Sequence, residues 1–289
     1  MGVIWCEVVN HVKYLERERT DGVLLSFCIC KKENDREMNE WYNEENKTGR
    51  LRFAGGDMIR RQDIRETIYR YIAEQMNCSG QDLHAGETVF VEDNKKPEKY
   101  IKILSVEDTD IITLSSDIFS ESRRHLCGKS RDELYESNYV FGQTLHYVPD
   151  MNQMERLPFI EGYTFELAVA DEIRKLYGIR GFDNSLSFDE DGNTSTCIVL
   201  YAKKNNDVIA LAGASYVNNE LREVGIDVKK EFRGKKLATL LVRNLTVEIL
   251  KQGKIPFYSA SVTNIASQAV AIRSGYMPLW TDTFGVRDI

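Results

Sequence analysis

The sequence predicts a mixed α/β protein in two parts, and three observations carry that expectation. Residues 197–202, 208–216 and 221–228 are short apolar runs separated by polar turns, as antiparallel strands are. The last of these runs passes through a basic, glycine-bearing turn directly into an amphipathic helix. Residues 146–158 hold Pro149 and Pro158 among polar side chains and interrupt the periodic signal, which suits a linker. The expected division is a mixed α/β N-terminal domain, 1–148, and a second α/β domain, 149–289, in which a mostly antiparallel sheet is flanked by helices.

Taken in order, residues 23–30 read as a buried strand, and the charged stretch 31–49 as an exposed helix and loop. Leu51 to Asp57 reads as a strand ending in the glycine turn Gly55-Gly56. Ile64 to Met76 has helical spacing, 88–91, 100–104 and 111–114 are strands, and Asp117 to Leu126 is a helix. In the second part, Tyr163 to Ala170 is a strand, Glu172 to Tyr177 a short helix and Gly181 to Asn184 a loop. Lys203 to Asp207 is a polar turn joining two strands as a hairpin.

The stretch from Val224 to Thr239 is the most informative. Alternation gives a strand to Val228, and Leu237, Leu240, Leu241, Leu245 and Ile249 give a helix stopped by Gly253. The first N–H groups of a helix lack intrachain partners and converge, with the positive end of the dipole, on any anion placed there. Gly234 permits close backbone approach, and Arg233, Lys235 and Lys236 add charge. On physics alone this turn suits a nucleotide, a sugar phosphate or coenzyme A. A second block follows: a strand at 255–262, then Asn264-x-x-Ser267, a short helix, and the exit Gly275-Tyr276.

Arg233-x-x-Lys236-x-Ala238 resembles the coenzyme A pyrophosphate loop of the GNAT superfamily of N-acetyltransferases, Gln/Arg-x-x-Gly-x-Gly/Ala, with Lys236 in place of its central glycine. Asn264-x-x-Ser267 with Gly275-Tyr276 is similar to that family's Asn-x-x-Ala/Ser and Gly-Phe segment, and the resemblance covers about 160–289. Gly181-Phe182-Asp183-Asn184-Ser185-Leu186-Ser187 and His146-Tyr147-x-Pro149-Asp150 look like a two-domain bacterial group of that family. The resemblance implies a C-terminal GNAT fold and leaves open a degenerate copy of it in the N-terminal domain, where no second such loop is seen. It implies that acetyl-CoA is the co-substrate, held by Ile226, Asp227, Val228, Arg233, Gly234, Lys235, Lys236, Leu237, Ala238, Thr239, Asn264 and Ser267. Glu223 is then the first candidate for the general base, with Asp227 second. The tyrosine that commonly serves as acid falls at Ala271 here, leaving Tyr258, Tyr276, Ser259 and Ser261 as substitutes.

Composition narrows the partners. No apolar run reaches the ~18–20 residues of a membrane helix, and the amino terminus does not read as a secretory signal. The net charge of −7 argues against a nucleic-acid partner and suits a cationic amine. Six scattered cysteines and four isolated histidines offer no metal-ligand spacing, so the expectation is a metal-free protein of a reducing cytoplasm, monomer or homodimer. Cys197 lies on an early strand without a histidine motif, which disfavours a covalent intermediate. The leading expectation is direct acyl transfer to a small-molecule or peptide amine. The alternative is a non-catalytic acetyl-CoA sensor or interaction protein.

Overall fold

The structure is a computed structural model that describes residues 13–18, 24–29 and 60–286. The expected segments 31–49 and 51–57 lie outside the described residues, as do Cys6 and Cys30. The chain divides into two compact units, Met1–Arg50 and Leu51–Ile289. In the first, β1 (Lys13–Glu18) and β2 (Leu24–Ile29) pair antiparallel from Lys13 opposite Ile29 to Glu18 opposite Leu24.

The second unit begins with α1, Arg61–Met76. Asp63 accepts from the Arg60 N–H at 2.7 Å, satisfying an orphan donor at the helix start. Ile64, Ile68, Ile72 and Met76 recur every fourth residue and are buried, and Asn77 ends the helix with φ of 52°. Three strands follow: β3 (Thr88–Glu92), β4 (Ile101–Val106) and β5 (Thr109–Leu114). Next come α2 (Ser116–Leu126) and α3 (Arg131–Tyr135). The strands β6 (Val140–Pro149), β7 (Thr164–Val169), β8 (Thr196–Lys204), β9 (Asp207–Tyr216) and β10 (Leu221–Val228) lead to α4 (Leu237–Lys251). Last are β11 (Ile255–Ser261), α5 (Ile265–Arg273) and β12 (Tyr276–Val286).

Ten of these strands form one sheet in the order β3-β5-β4-β12-β6-β11-β10-β9-β8-β7. Only β3 with β5 and β10 with β11 are parallel. One face of the sheet is covered by α4, whose Leu240, Leu241, Leu245 and Ile249 pack with Val224, Tyr258 and Ala260. On the opposite face α1 packs with Leu221, Ile255, Phe257 and Trp280.

This sheet corrects the expected boundary at 148/149. Residues 140–149 form β6, which is hydrogen-bonded to β11 on one side and β12 on the other. His146, Tyr147, Val148 and Pro149 therefore lie in a strand rather than a linker, and Tyr147 and Val148 are buried. The strands β3, β4 and β5 extend the same sheet through β12 and are not a separate domain copy. Pro149 misled the reading because it sits at the last position of the strand, where a missing N–H costs little.

Candidate active site

Two adjacent strands part at the middle of the sheet. β10 and β11 are paired only from Leu221 opposite Ile255 to Val224 opposite Tyr258. Beyond that pair β10 continues to Val228 and β11 to Ser261, without pairing to each other. The Ile255 N–H donates to the Glu220 carbonyl at 2.8 Å, which fixes which residues turn their main chain toward β11. By alternation along the strand, Ile226 and Val228 present their main-chain groups to the open gap. The Lys229 N–H agrees, since it donates the other way, to the Ile209 carbonyl on β9 at 2.9 Å.

The basic turn stands at the end of that gap. Lys230–Phe232 forms a single 3-10 turn, Gly234 has φ of 77°, and Lys236 has φ of 64° as the residue preceding α4. The first helical bond is from the Leu240 N–H to the Lys236 carbonyl, 3.1 Å. Among the described residues, the N–H groups from Gly234 to Thr239 form no hydrogen bond. A 15-residue helix thus directs free donors outward, as anion binding requires. Arg233 donates through Nε to the Val228 carbonyl at 3.1 Å, tying the turn to the strand it leaves. Lys235 lies over the Phe232 ring, 4.8 Å from its centroid. Lys236 occupies the left-handed conformation that suits glycine, which explains why a glycine stands there in the pattern it resembles. Leu237 is buried under the turn, and the Thr239 carbonyl accepts from Ser274 Oγ at 3.3 Å. Ala238 is half-buried in the first turn of the helix.

On the face of α4 and α5, Asn264 caps α5 by accepting from the Ser267 N–H at 3.1 Å. Tyr258 and Ser267 share a hydrogen bond of 2.7 Å between their hydroxyls, so this tyrosine reaches the start of α5. Tyr258 is nonetheless buried, and burial pushes its phenol up. Tyr276 departs further from its expected role. It is fully enclosed, its hydroxyl bonds Thr246 Oγ1 at 2.6 Å, and burial pushes it up strongly. It braces β12 against α4 and does not meet the gap. Ala271 is buried in the same core.

Glu223, Gly225 and Asp227 share the other face of β10. Glu223 is exposed, and among the described residues its carboxylate forms no hydrogen bond or ion pair. Asp227 is fully engaged and is not a free base. It accepts from the Asn184 N–H (2.9 Å), Asn184 Nδ2 (2.7 Å), the Ser185 N–H (3.0 Å) and Ser185 Oγ (2.8 Å). These bonds seat the turn 182–186 on the sheet, where Phe182 and Leu186 are buried beside Leu211. A Cβ at Gly225 would meet the Asn184 carbonyl oxygen at 2.0 Å, and one at Gly213 the Ser185 oxygen at 1.9 Å. Sequence reading passed over both glycines because each sits inside an otherwise ordinary strand.

The same face carries a polar chain that the sequence reading did not assemble. Ser259 Oγ lies 2.9 Å from His146 Nδ1, and His146 Nε2 lies 3.0 Å from Asp282 Oδ1. Lys102 Nζ reaches Asp282 Oδ2 at 2.6 Å. Burial alone would raise the Asp282 carboxyl, but the hydrogen bond and charge of His146 and the charge of Lys102 outweigh it and hold it low. The four residues come from β11, β6, β12 and β4, so no local spacing announces them. Cys197 donates to the Ala214 carbonyl at 3.3 Å, and burial raises its thiol. Among the described residues, no three His, Cys, Asp or Glu side chains are grouped to hold a metal ion, and no helix is long and apolar enough to cross a membrane.

Residues 182–279 match the family model described as GNAT acetyltransferase. This segment of the chain is similar to the GNAT acetyltransferase family. The matched segment spans the Asn184–Ser185 turn, the gap, the basic turn and α5. Solved structures with a similar fold include an acetyltransferase from the GNAT family of Colwellia psychrerythraea, 14% identical over 51% of this chain and 57% of that one, TM-score 0.39. Another is a GCN5-related N-acetyltransferase from Kribbella flavida, 16% identical over 50% of this chain and 57% of that one, TM-score 0.38. A third is a GCN5-related N-acetyltransferase-like protein from Streptococcus suis, 16% identical over 68% and 87%, TM-score 0.39. The chain spans less than two thirds of the length of the first two. No curated protein matches it in sequence.

Proposed function

We propose that this chain is an acyl-CoA-dependent N-acyltransferase that moves an acetyl group from acetyl-CoA to a small-molecule or peptide amine by direct transfer. The observation that carries this reading is the row of unbonded N–H groups from Gly234 to Thr239 at the end of the gap between β10 and β11. Arg233, Lys235 and Lys236 surround those donors with positive charge, which fits a pyrophosphate. Ile226 and Val228 hold the pantetheine arm through their main chain, and Asn264 and Ser267 border it from α5. Acetyl-CoA supplies an activated thioester. Glu223, an exposed carboxylate on the opposite face, receives the cationic amine. The raised thiol of Cys197 supports transfer without a covalent enzyme intermediate. The protein acts as a monomer or homodimer in the cytoplasm, with no nucleic-acid or membrane partner.

A second reading, a non-catalytic acetyl-CoA sensor, is favoured by the buried Ala271 at the family's usual tyrosine position and by the sequestered Tyr276. Calorimetry with acetyl-CoA, beside a transfer assay over a panel of primary amines, separates the two. Replacing Arg233 and Lys236 together with alanine is expected to weaken acetyl-CoA binding by roughly tenfold to a hundredfold per lost phosphate contact. Unchanged affinity would remove the pyrophosphate assignment, and tight binding without transfer to any amine would favour the sensor.

A further inference from the structure

The alternation of β11 sends Phe257 and Ser259 to the face of α1, and Tyr258 and Ala260 to the face of α4. Ser259 follows the last residue of β11 that pairs with β10, so it stands where the two strands part. Glu223 is the register partner of Phe257, one step along the same face. Behind Ser259 the hydrogen-bonded chain runs inward through His146 to Asp282 and Lys102, crossing three strand boundaries. His146 is held flat against Trp280, with ring centroids 4.4 Å apart and planes 2° from parallel. Its side chain is 13% exposed and that of Asp282 11%, whereas Ser259 keeps access to solvent. An enclosed imidazole between a carboxylate and the hydroxyl of a partly buried serine is more than a solvated strand face requires.

We infer that Ser259 and His146 form a proton relay that removes the acceptor's proton at the parting of β10 and β11, with Asp282 fixing the imidazole. This rests on the acyltransferase reading above. The carboxylate beside Nε2 selects the neutral tautomer that carries its proton there, leaving Nδ1 to accept from the Ser259 hydroxyl. Ser259 Oγ takes one proton from the acceptor's ammonium as its own proton moves to His146 Nδ1. The amine keeps its lone pair, His146 becomes an imidazolium, and that proton later returns to solvent. Only N–H and O–H bonds change in this step. Ser259 touches the acceptor, while His146 acts through it and Asp282 and Lys102 orient it. The charged groups facing the relay are Asp282 from β12, Lys102 from β4 and Glu223 from β10. From α1 comes the Tyr71 phenol, which burial and then the charges of Glu223 and Asp282 push up. Tyr100 and Tyr135 are raised by burial first, with Asp282 adding to both, so these phenols remain neutral neighbours.

Two measurements on the full chain test the relay. The protein has four histidines, so ¹⁵N imidazole signals can be assigned by comparison with His146→Gln. Without any acceptor, His146 should be the Nε2–H tautomer when neutral, and Ser259→Ala should shift its Nδ1 signal. An Nδ1–H tautomer would overturn the relay, because the hydroxyl would then accept rather than donate. With acetyl-CoA and a primary-amine panel, Ser259→Ala and His146→Gln should each lower kcat/KM by about a hundredfold to ten-thousandfold. The double variant should lose little more, as residues acting in series do. Both should keep the wild-type affinity for acetyl-CoA and change the shape of the pH–rate profile. Ser259→Ala removes one partly exposed hydroxyl, so it keeps the test open if His146→Gln fails to fold. A Ser259→Ala enzyme with wild-type rates and pH profile overturns the relay and leaves the acyltransferase reading intact. A wild-type protein that binds acetyl-CoA yet acylates no amine overturns both.

Discussion

Gly213 on β9 and Gly225 on β10 stand directly opposite each other, and each lies beneath a backbone oxygen of the Asn184–Ser185 turn. The pair makes a flat place on the sheet where the turn rests on main chain, and Asp227 pins it from the next position on the same face. Alanine at either site would bring a Cβ to 1.9–2.0 Å from a carbonyl oxygen that belongs to a bonded turn. We expect Gly213→Ala or Gly225→Ala to destabilise the second unit by about 1–3 kcal/mol, the range for overpacking. The double variant should cost less than the sum, since both push on one turn. Urea denaturation checks this, and a variant as stable as wild type would mean the turn is not seated there.

Lys236 is held at φ of 64° at the start of α4. A left-handed conformation costs a non-glycine residue about 1–2 kcal/mol, so Lys236→Gly should stabilise the protein, less the entropy glycine gains when unfolded. The net expectation is a rise in Tm. With the ammonium gone, acetyl-CoA affinity should fall by roughly tenfold to a hundredfold, the worth of one phosphate contact, although the neighbouring N–H groups are unchanged. Unchanged affinity in calorimetry would mean that the Lys236 side chain does not touch the phosphate.

The position of β6 sets which fragment can fold. A fragment of residues 150–289 lacks the strand that joins β11 to β12, and it should show no cooperative thermal transition. A fragment of residues 51–289 keeps all ten strands and should unfold cooperatively, with Tm raised by acetyl-CoA. Differential scanning calorimetry decides, and a folded, cofactor-responsive 150–289 fragment would restore the shorter domain.

Asp282 gives an acid-pH test. Its folded-state pKa is lowered by His146 and Lys102 against the opposing effect of burial. A depressed carboxylate contributes stability above its unfolded pKa of about 3.9, and that contribution disappears as pH falls through the folded value. Asp282→Asn should therefore be less stable than wild type near neutrality. The gap should narrow as both are acidified below about pH 4. A gap that stays constant from neutral pH to about pH 2 would mean the charge of Asp282 does not contribute.

Much of the second unit was legible from local pattern. The strands 196–204, 207–216 and 221–228, the helix 237–251 and the capped helix 265–273 all follow from alternation, helical spacing and cap residues. The basic turn was legible because its chemistry is contiguous. Alternation gave the face of Asp227 but not its partners, because the Asn184–Ser185 turn is remote in sequence. The Thr246 hydroxyl that meets Tyr276 was hidden for a similar reason, since proximity to the gap in sequence does not disclose it. The Ser259–His146–Asp282–Lys102 chain was invisible because sheet order, not spacing, brings its members together.

The strand order also has a consequence for biosynthesis. β12 is the last strand in the sequence yet lies mid-sheet, between β4 and β6. On a ribosome, β3, β4 and β5 and the group from β6 to β11 are made as two half-sheets before the strand that unites them. Until residues 276–286 emerge, β4 and β6 each present a bare edge, a template for pairing with another chain. Folding therefore waits on contacts between segments more than a hundred residues apart, such as Trp280 with Val106, and such closure is slow. A nascent chain stalled before β12 is two adhesive half-sheets, and it falls to chaperones to keep them from neighbouring chains until the joining strand arrives.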